Sequence, residues 1–128
     1  MNELIIDAAS EKIFLMIISN TNIYNITHDN TKINYEKLTI IINDFLSSKN
    51  IKITDINAFY FNQGSGSFAG IRNSISVVKA FNVAKNIDYY CYNLDDFKDE
   101  KDLSYKNIPN LCKKHKIKKL LSLSTRYP

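Results

Sequence analysis

The chain has 128 residues, 45% of them hydrophobic and 23% charged, and a formal net charge of +4. That length allows one domain with a core of its own, and the composition is ordinary for a globular protein. Two widely separated cysteines, Cys91 and Cys112, argue against a disulfide framework or a zinc-type cluster.

The chain opens directly on a strand pattern, and no apolar run reaches the ~20 residues of a membrane span. A cytoplasmic location without membrane contact is therefore expected. Leu4-Ile5-Ile6, ending at Asp7, reads as the first strand. Ile13 to Ile18 reads as a second, and Asn22 to Thr27, with polar alternation, as a third. The short connections suggest an antiparallel meander. The period then changes: Tyr35, Leu38, Ile41, Ile42, Phe45 and Leu46 repeat at helical spacing. Asn34 is the expected N-cap of this first helix, which should end near Lys49-Asn50. Ile56 to Phe61 is a fourth strand.

All three glycines fall in the stretch that follows, Gly64-Ser65-Gly66-Ser67-Phe68-Ala69-Gly70-Ile71-Arg72. Glycine lets other backbone approach closely. Ser67 is the expected N-cap of a second helix running from Phe68 to about Ala84, and its start is partly positive. One face of that helix carries Phe68, Ile71, Ile75 and Val78. The adjacent face carries Gly70, Ser74, Val77 and Phe81. Together they are wider than the ~100° stripe that a helix packed on one side requires. Asp88 to Tyr92 is a fifth strand, and Asn93 should cap a short helix starting Leu94-Asp95-Asp96-Phe97.

Three strands followed by alternating helices and strands make an α/β lobe: a mixed five-stranded sheet with helices on both faces, the pattern of the ribonuclease H-like fold. Strand order 3-2-1-4-5 with right-handed crossovers would put the first two helices on one face. Lys98 to Lys106 reads as a charged linker, Pro109 as the opening of a helix through Lys116, and Leu120 to Leu123 as a closing strand. Lys113-Lys114-His115-Lys116 and Lys118-Lys119 form a basic run. The division expected is a lobe over 1–97 and a short basic tail over 98–128.

Few residues here promise chemistry. The spacing Gly64-x-Gly66-x-x-x-Gly70 is one residue longer than a dinucleotide fingerprint, and no Walker A lysine follows. Two-metal hydrolysis needs several convergent carboxylates. Asp7 stands where one would be, but the fourth strand ends in Asn62-Gln63. Asp7 is expected instead to accept hydrogen bonds from loop N–H groups. Glu36 and Asp44 should face solvent, and His28 and His115 have no ligand partners at metal spacing. No metal or cofactor is expected.

With these residues assembled, the chain resembles the TsaB family, of the actin-like ATPase superfamily. Gly64 to Arg72 is similar to the family's G-P-G-S-F-T-G-L/V-R, with Ser65 for the proline and Ala69 for the threonine. Leu4 to Ser10 is similar to L-A-I-D-T-A/S-T, and Asp55-Ile56 and Asn93-Leu94 also fit. The resemblance covers residues 1 to 97. Family members carry a second, similar lobe, whereas here Lys98 to Pro128 follows. The resemblance implies a non-catalytic scaffold or activator of the complex that makes threonylcarbamoyladenosine on tRNA. Its implied partner is a TsaD-like protein, the catalytic paralogue whose metal-binding HxxxH pair is not found here. It further implies docking through the first two helices, with Gly70, Ser74, Val77 and Phe81 toward the partner and a homodimer in the partner's absence. The basic tail would then bring the chain near tRNA. A metal-dependent nuclease of the same fold and a homodimeric remnant without a partner stand as alternatives.

Overall fold

A computed structural model of the chain describes residues 1–64, 68–117 and 119–120. Its sheet has the order β3-β2-β1-β4-β5-β6. The strands are β1 (Asn2–Asp7), β2 (Lys12–Ile18), β3 (Ile23–Asp29), β4 (Ile56–Asn62), β5 (Asp88–Tyr92) and β6 (Lys119–Leu120). β1, β4 and β5 run parallel; the other pairings are antiparallel. The expected order of the first five strands is observed. β6 adds a sixth beside β5, starting at Lys119, one residue earlier than expected. Residues 121–123 of the expected closing strand lie outside the described residues.

Strand side chains alternate between two faces, and both faces are buried. On the first face Leu4, Ile6, Ile13, Leu15, Ile17, Phe59, Phe61 and Tyr89 share one cluster. Two helices cover it. Helix α2 (Leu38–Ser48) contributes Leu38, Ile42, Phe45 and Leu46, and helix α3 (Phe68–Lys85) contributes Val78 and Phe81. The first two predicted helices thus lie on one face, as right-handed crossovers require.

The first predicted helix is in fact two. A short α1 (Lys32–Glu36) precedes α2, and Lys37 between them has φ −100° and ψ 17°. α1 buries none of its residues, so little packing holds it in register with α2. Its N-cap is Thr31 rather than Asn34; the Thr31 hydroxyl accepts from the Asn34 N–H at 3.4 Å. α2 ends as expected at Asn50, in the left-handed region at φ 57°. There Ile51 N–H donates to Leu46 C=O and Asn50 N–H to Ser47 C=O, both at 3.0 Å. This is a Schellman ending, for which asparagine is a good residue.

On the second face Ile5, Met16, Ala58, Tyr60 and Tyr92 meet Phe97, Ile108, Leu111 and Cys112. The cover comes from a 3-10 turn, Leu94–Phe97, capped by Asn93 as expected, and from α4 (Ile108–Lys114), with Pro109 in its first turn. Burial pushes the Cys112 thiol up to about 12, so it packs as a small hydrophobe. Lys114 and His115 both contact Glu100, at 2.8 and 2.7 Å, and hold its carboxyl below the usual range.

Gly70 has a packing role. A Cβ there would lie 2.8 Å from the Ala8 carbonyl oxygen and 2.9 Å from Asn30 Nδ2. That amide is pinned by the Ala8 and Ser10 carbonyls at 2.9 and 2.7 Å. Gly70→Ala should therefore cost about 1–3 kcal/mol through overpacking, seen as a lower urea midpoint. An unchanged midpoint would show that the loop under α3 gives way freely.

Candidate functional site

The parallel strands β1, β4 and β5 end together, and the glycine-rich turn leaves from the same edge. Asp7 closes β1 and is buried. Its Oδ1 accepts from the Ala9 N–H at 3.0 Å. Its Oδ2 accepts from Asn62 Nδ2 at 3.1 Å and from the Tyr105 hydroxyl at 2.8 Å. The loop hydrogen bond to Asp7 is thus present, and two side chains reinforce it. The far oxygen of Asn62 accepts from the Gly64 N–H at 2.9 Å. Gln63 N–H donates to the Tyr92 carbonyl at 2.8 Å. The start of the glycine-rich turn is therefore fixed by Asn62, which also holds the acid.

Tyr105 arrives from a 3-10 turn, Tyr105–Asn107. Its ring stacks on Phe14 with centroids 3.9 Å apart and planes 18° apart. Burial first, then the nearby Asp7 carboxylate, pushes the pKa of both Tyr105 and Tyr92 above the ordinary tyrosine range. Both phenols stay protonated at neutral pH. The Tyr92 hydroxyl, fully buried, has no hydrogen-bond partner among the described residues.

This arrangement ties the end of β1 to the start of the glycine-rich turn. The Asp7 carboxylate already has three donors, and a neutral amide occupies the position of a second carboxylate. Among the described residues no group of three or more His, Cys, Asp or Glu side chains is placed to hold a metal ion. Glu36 and Asp44 are exposed, as expected. His28 is partly buried on β3, and His115 packs against Phe97 and Glu100.

Of the motif residues, Gly64 is buried, and a Cβ on it would meet Asn62 Oδ1 at 3.1 Å and Asn93 Oδ1 at 3.2 Å. Phe68 opens α3 and Arg72 is exposed on it. Ser65, Gly66 and Ser67, with the expected Ser67 cap, lie outside the described residues.

The expected partner face needs correction. Gly70, Ser74 and Phe81 are buried within the chain, and Val77 packs partly buried against the first-face core. The Ser74 hydroxyl donates back to the Gly70 carbonyl at 2.7 Å. The reason is that the neighbouring helices cover this side of α3. Asn73 donates to the Tyr35 carbonyl of α1, and Tyr35 and Ile41 pack on the same core. What α3 leaves exposed before its last two residues, Ala84 and Lys85, is Ala69, Arg72, Ser76, Ala80 and Val83. Two shallow hollows lie along this strip. One, of about 470 Å³, is lined by Ser76, Lys79, Ala80 and Val83. The other, of about 280 Å³, is lined by Tyr35, Glu36, Ala69, Arg72, Asn73 and Ser76.

Sequence reasoning missed Tyr105, which it placed in a charged linker. No local pattern marks a residue whose partner lies 98 positions away.

No family model and no curated protein matches the chain. Among solved structures, YeaZ from Pseudomonas aeruginosa shares the fold with a TM-score of 0.66 at 18% identity, over 72% of this chain and 43% of YeaZ. A structure described as an uncharacterized protein with similarity to peptidase YEAZ, from the same organism, matches with the same values. RuvC from Thermus thermophilus, in complex with a Holliday junction substrate, matches with a TM-score of 0.54 at 10% identity, over 77% of this chain and 68% of RuvC. At such identities the likeness is one of fold alone, that of a ribonuclease H-like lobe. The chain spans less than half the length of the YeaZ structures.

Tyr105→Phe should lower stability by about 1.5–3 kcal/mol, the range for a hydrogen bond to a charged group. Tyr105→Leu should lower it further by about 0.5–1.5 kcal/mol, because the stack on Phe14 goes too. Urea denaturation of the two variants checks both. Equal midpoints for Tyr105→Phe and the parent would show that water replaces the hydroxyl at no cost.

Proposed function

We propose that the chain is a non-catalytic scaffold or activator subunit that docks on a TsaD-like protein in the complex making threonylcarbamoyladenosine on tRNA. The observation that carries the reading is the strip left open on α3. Ala69, Ser76, Ala80 and Val83 recur at helical spacing, and all are exposed. Three of the four are small, so a second helix can approach closely. The 18-residue helix itself bears no acidic residue, and the one carboxylate lining the hollows beside it is Glu36 of α1. The likeness in fold to YeaZ, which is TsaB, supports the same reading. So does the Asp7 network, which commits the carboxylate to three donors within the chain.

In the partner's absence, the same strip would pair two copies about a two-fold axis. A stable pairing should bury more than about 1,000 Å² in total.

The test is binding of the purified chain to the TsaD-like protein of the same cell, followed by sedimentation. Ser76→Arg blocks close approach, and Ala80→Glu places a charge in the contact. Each should weaken binding by about tenfold or more, the effect of an uncompensated interfacial charge. Circular dichroism and melting should match the parent, because both residues are exposed. Ser74→Arg, by contrast, should unfold the chain. If Ser76→Arg and Ala80→Glu bind like the parent, the docking surface lies elsewhere.

A further inference from the structure

On the sheet face opposite α3, a half-open cavity of about 290 Å³ lies between α4 and strands β4 and β5. It is lined by Tyr60, Tyr90, Pro109, Cys112, Lys113 and Ile117. Tyr60 and Tyr90 are register partners across the two strands. Their rings lie parallel, 7° apart in plane, with centroids 5.0 Å apart. The Tyr60 hydroxyl donates to Glu3 Oε2 at 2.6 Å, so its polar end is already satisfied. Cys112 is a protonated thiol. The walls are therefore aromatic and apolar, and Lys113 is the only charged residue in the lining.

The charge on the α4 side of this cavity is one-sided, while the Glu3 carboxylate stands behind Tyr60 on the other side. From Leu103 to the chain's last residue there is no Asp or Glu, while Lys106, Lys113, Lys114, Lys116 and Lys119 fall in the described part. Lys114 is spent on Glu100. Lys113 and Lys116 are exposed and make no ion pair among the described residues. The partly exposed Tyr90 ring, backed by the buried Tyr60 stacked on it, lies beside uncompensated ammonium groups, the combination that receives a base and its phosphate. The volume is at the small end of ligand pockets, which run roughly 300–1,000 Å³. That suits one planar ring system.

We propose that this cavity binds a nucleotide unit, the base against the Tyr60/Tyr90 pair and the phosphate on Lys113. The unit could be a free mononucleotide or one residue of a single strand; both present the same chemistry. The site is on the other face of the sheet from the docking strip, so it stands or falls apart from the partner reading.

The test uses the full chain with two probes: AMP, followed by NMR shifts, and a short fluorescein-labelled oligo(A), followed by anisotropy across a salt series. Tyr90→Leu should weaken binding about tenfold, the loss of one stacked base, while Tyr90→Phe should bind like the parent. Lys113→Ala should weaken the oligonucleotide and reduce its salt slope by about 0.7, one phosphate contact on a single strand. Pro109→Glu puts a carboxylate in the lining, at a helix position that accepts it. It should abolish binding, and it serves where Tyr90→Leu does not fold. Oligonucleotide binding much tighter than AMP identifies the single strand as the source; equal affinities identify the free nucleotide. The proposal is overturned if neither probe binds, or if folded Tyr90→Leu and Pro109→Glu both bind like the parent.

Discussion

A carboxylate buried at the end of the central strand sets the terms for the rest of this lobe. Taking Asp7 out of water is tolerable only if its oxygens are fully hydrogen-bonded. The three donors come from three distant parts of the chain: Ala9 just after β1, Asn62 at the end of β4, and Tyr105 from beyond β5. Burial of Asp7 and closure of the sheet's second face are thus one event. Phe14 stacks on Tyr105 and holds it there, so the hydroxyl arrives with its entropy already reduced. Asn62 carries the constraint onward, since its other end fixes the Gly64 N–H and with it the first residue of the glycine-rich turn.

The strands and their order were legible because a sheet buried on both faces writes its alternation into the sequence. Ile5 and Tyr60 face one cluster, while Leu4, Ile6, Phe59 and Phe61 face the other. The end of α2 was legible through Asn50, a residue that tolerates the left-handed conformation. The break at Lys37 was not. The apolar period runs through it, because Tyr35 of α1 packs partly buried on the same core as α2, and the split shows only in the Lys37 backbone. The Asp7–Tyr105 bond was illegible for a different reason. A tyrosine in a run of lysines and aspartates has no periodic neighbours, and its partner is fixed by tertiary packing alone.

α3 shows the limit of reading a wide apolar helix face. Gly70, Ser74, Val77 and Phe81 were assigned to a partner because a single sheet contact could not use them all. The flanking helices use them instead. Gly70 is small because the Ala8 carbonyl passes beneath it, not because a partner helix needs the room. Ser74 is polar, but its hydroxyl is returned to its own helix at Gly70. The strip that stays open is made of alanine and serine with one valine and one arginine, Arg72. Such residues are too weakly hydrophobic to stand out in a moment calculation, so the exposed face is visible only after the neighbours of α3 are placed.

The two faces of the sheet therefore end up with different surfaces for the same physical reason. On the first face, long helices with a regular apolar period bury their stripes and leave a smooth strip of small side chains on the outer side of α3. On the second, the cover is a 3-10 turn and a seven-residue helix. Cover that short cannot fill the space over two tyrosine rings, and a cavity remains between Tyr90, Pro109 and Ile117. The charges follow the same division. The acids end at Asp102, where Lys98 and Lys101 are mixed among them, and from Leu103 onward every charged residue is basic. Only Glu100 crosses between them, clamping Lys114 and His115. That clamp neutralises one lysine and leaves Lys113, the next residue back, facing the cavity with its charge uncompensated.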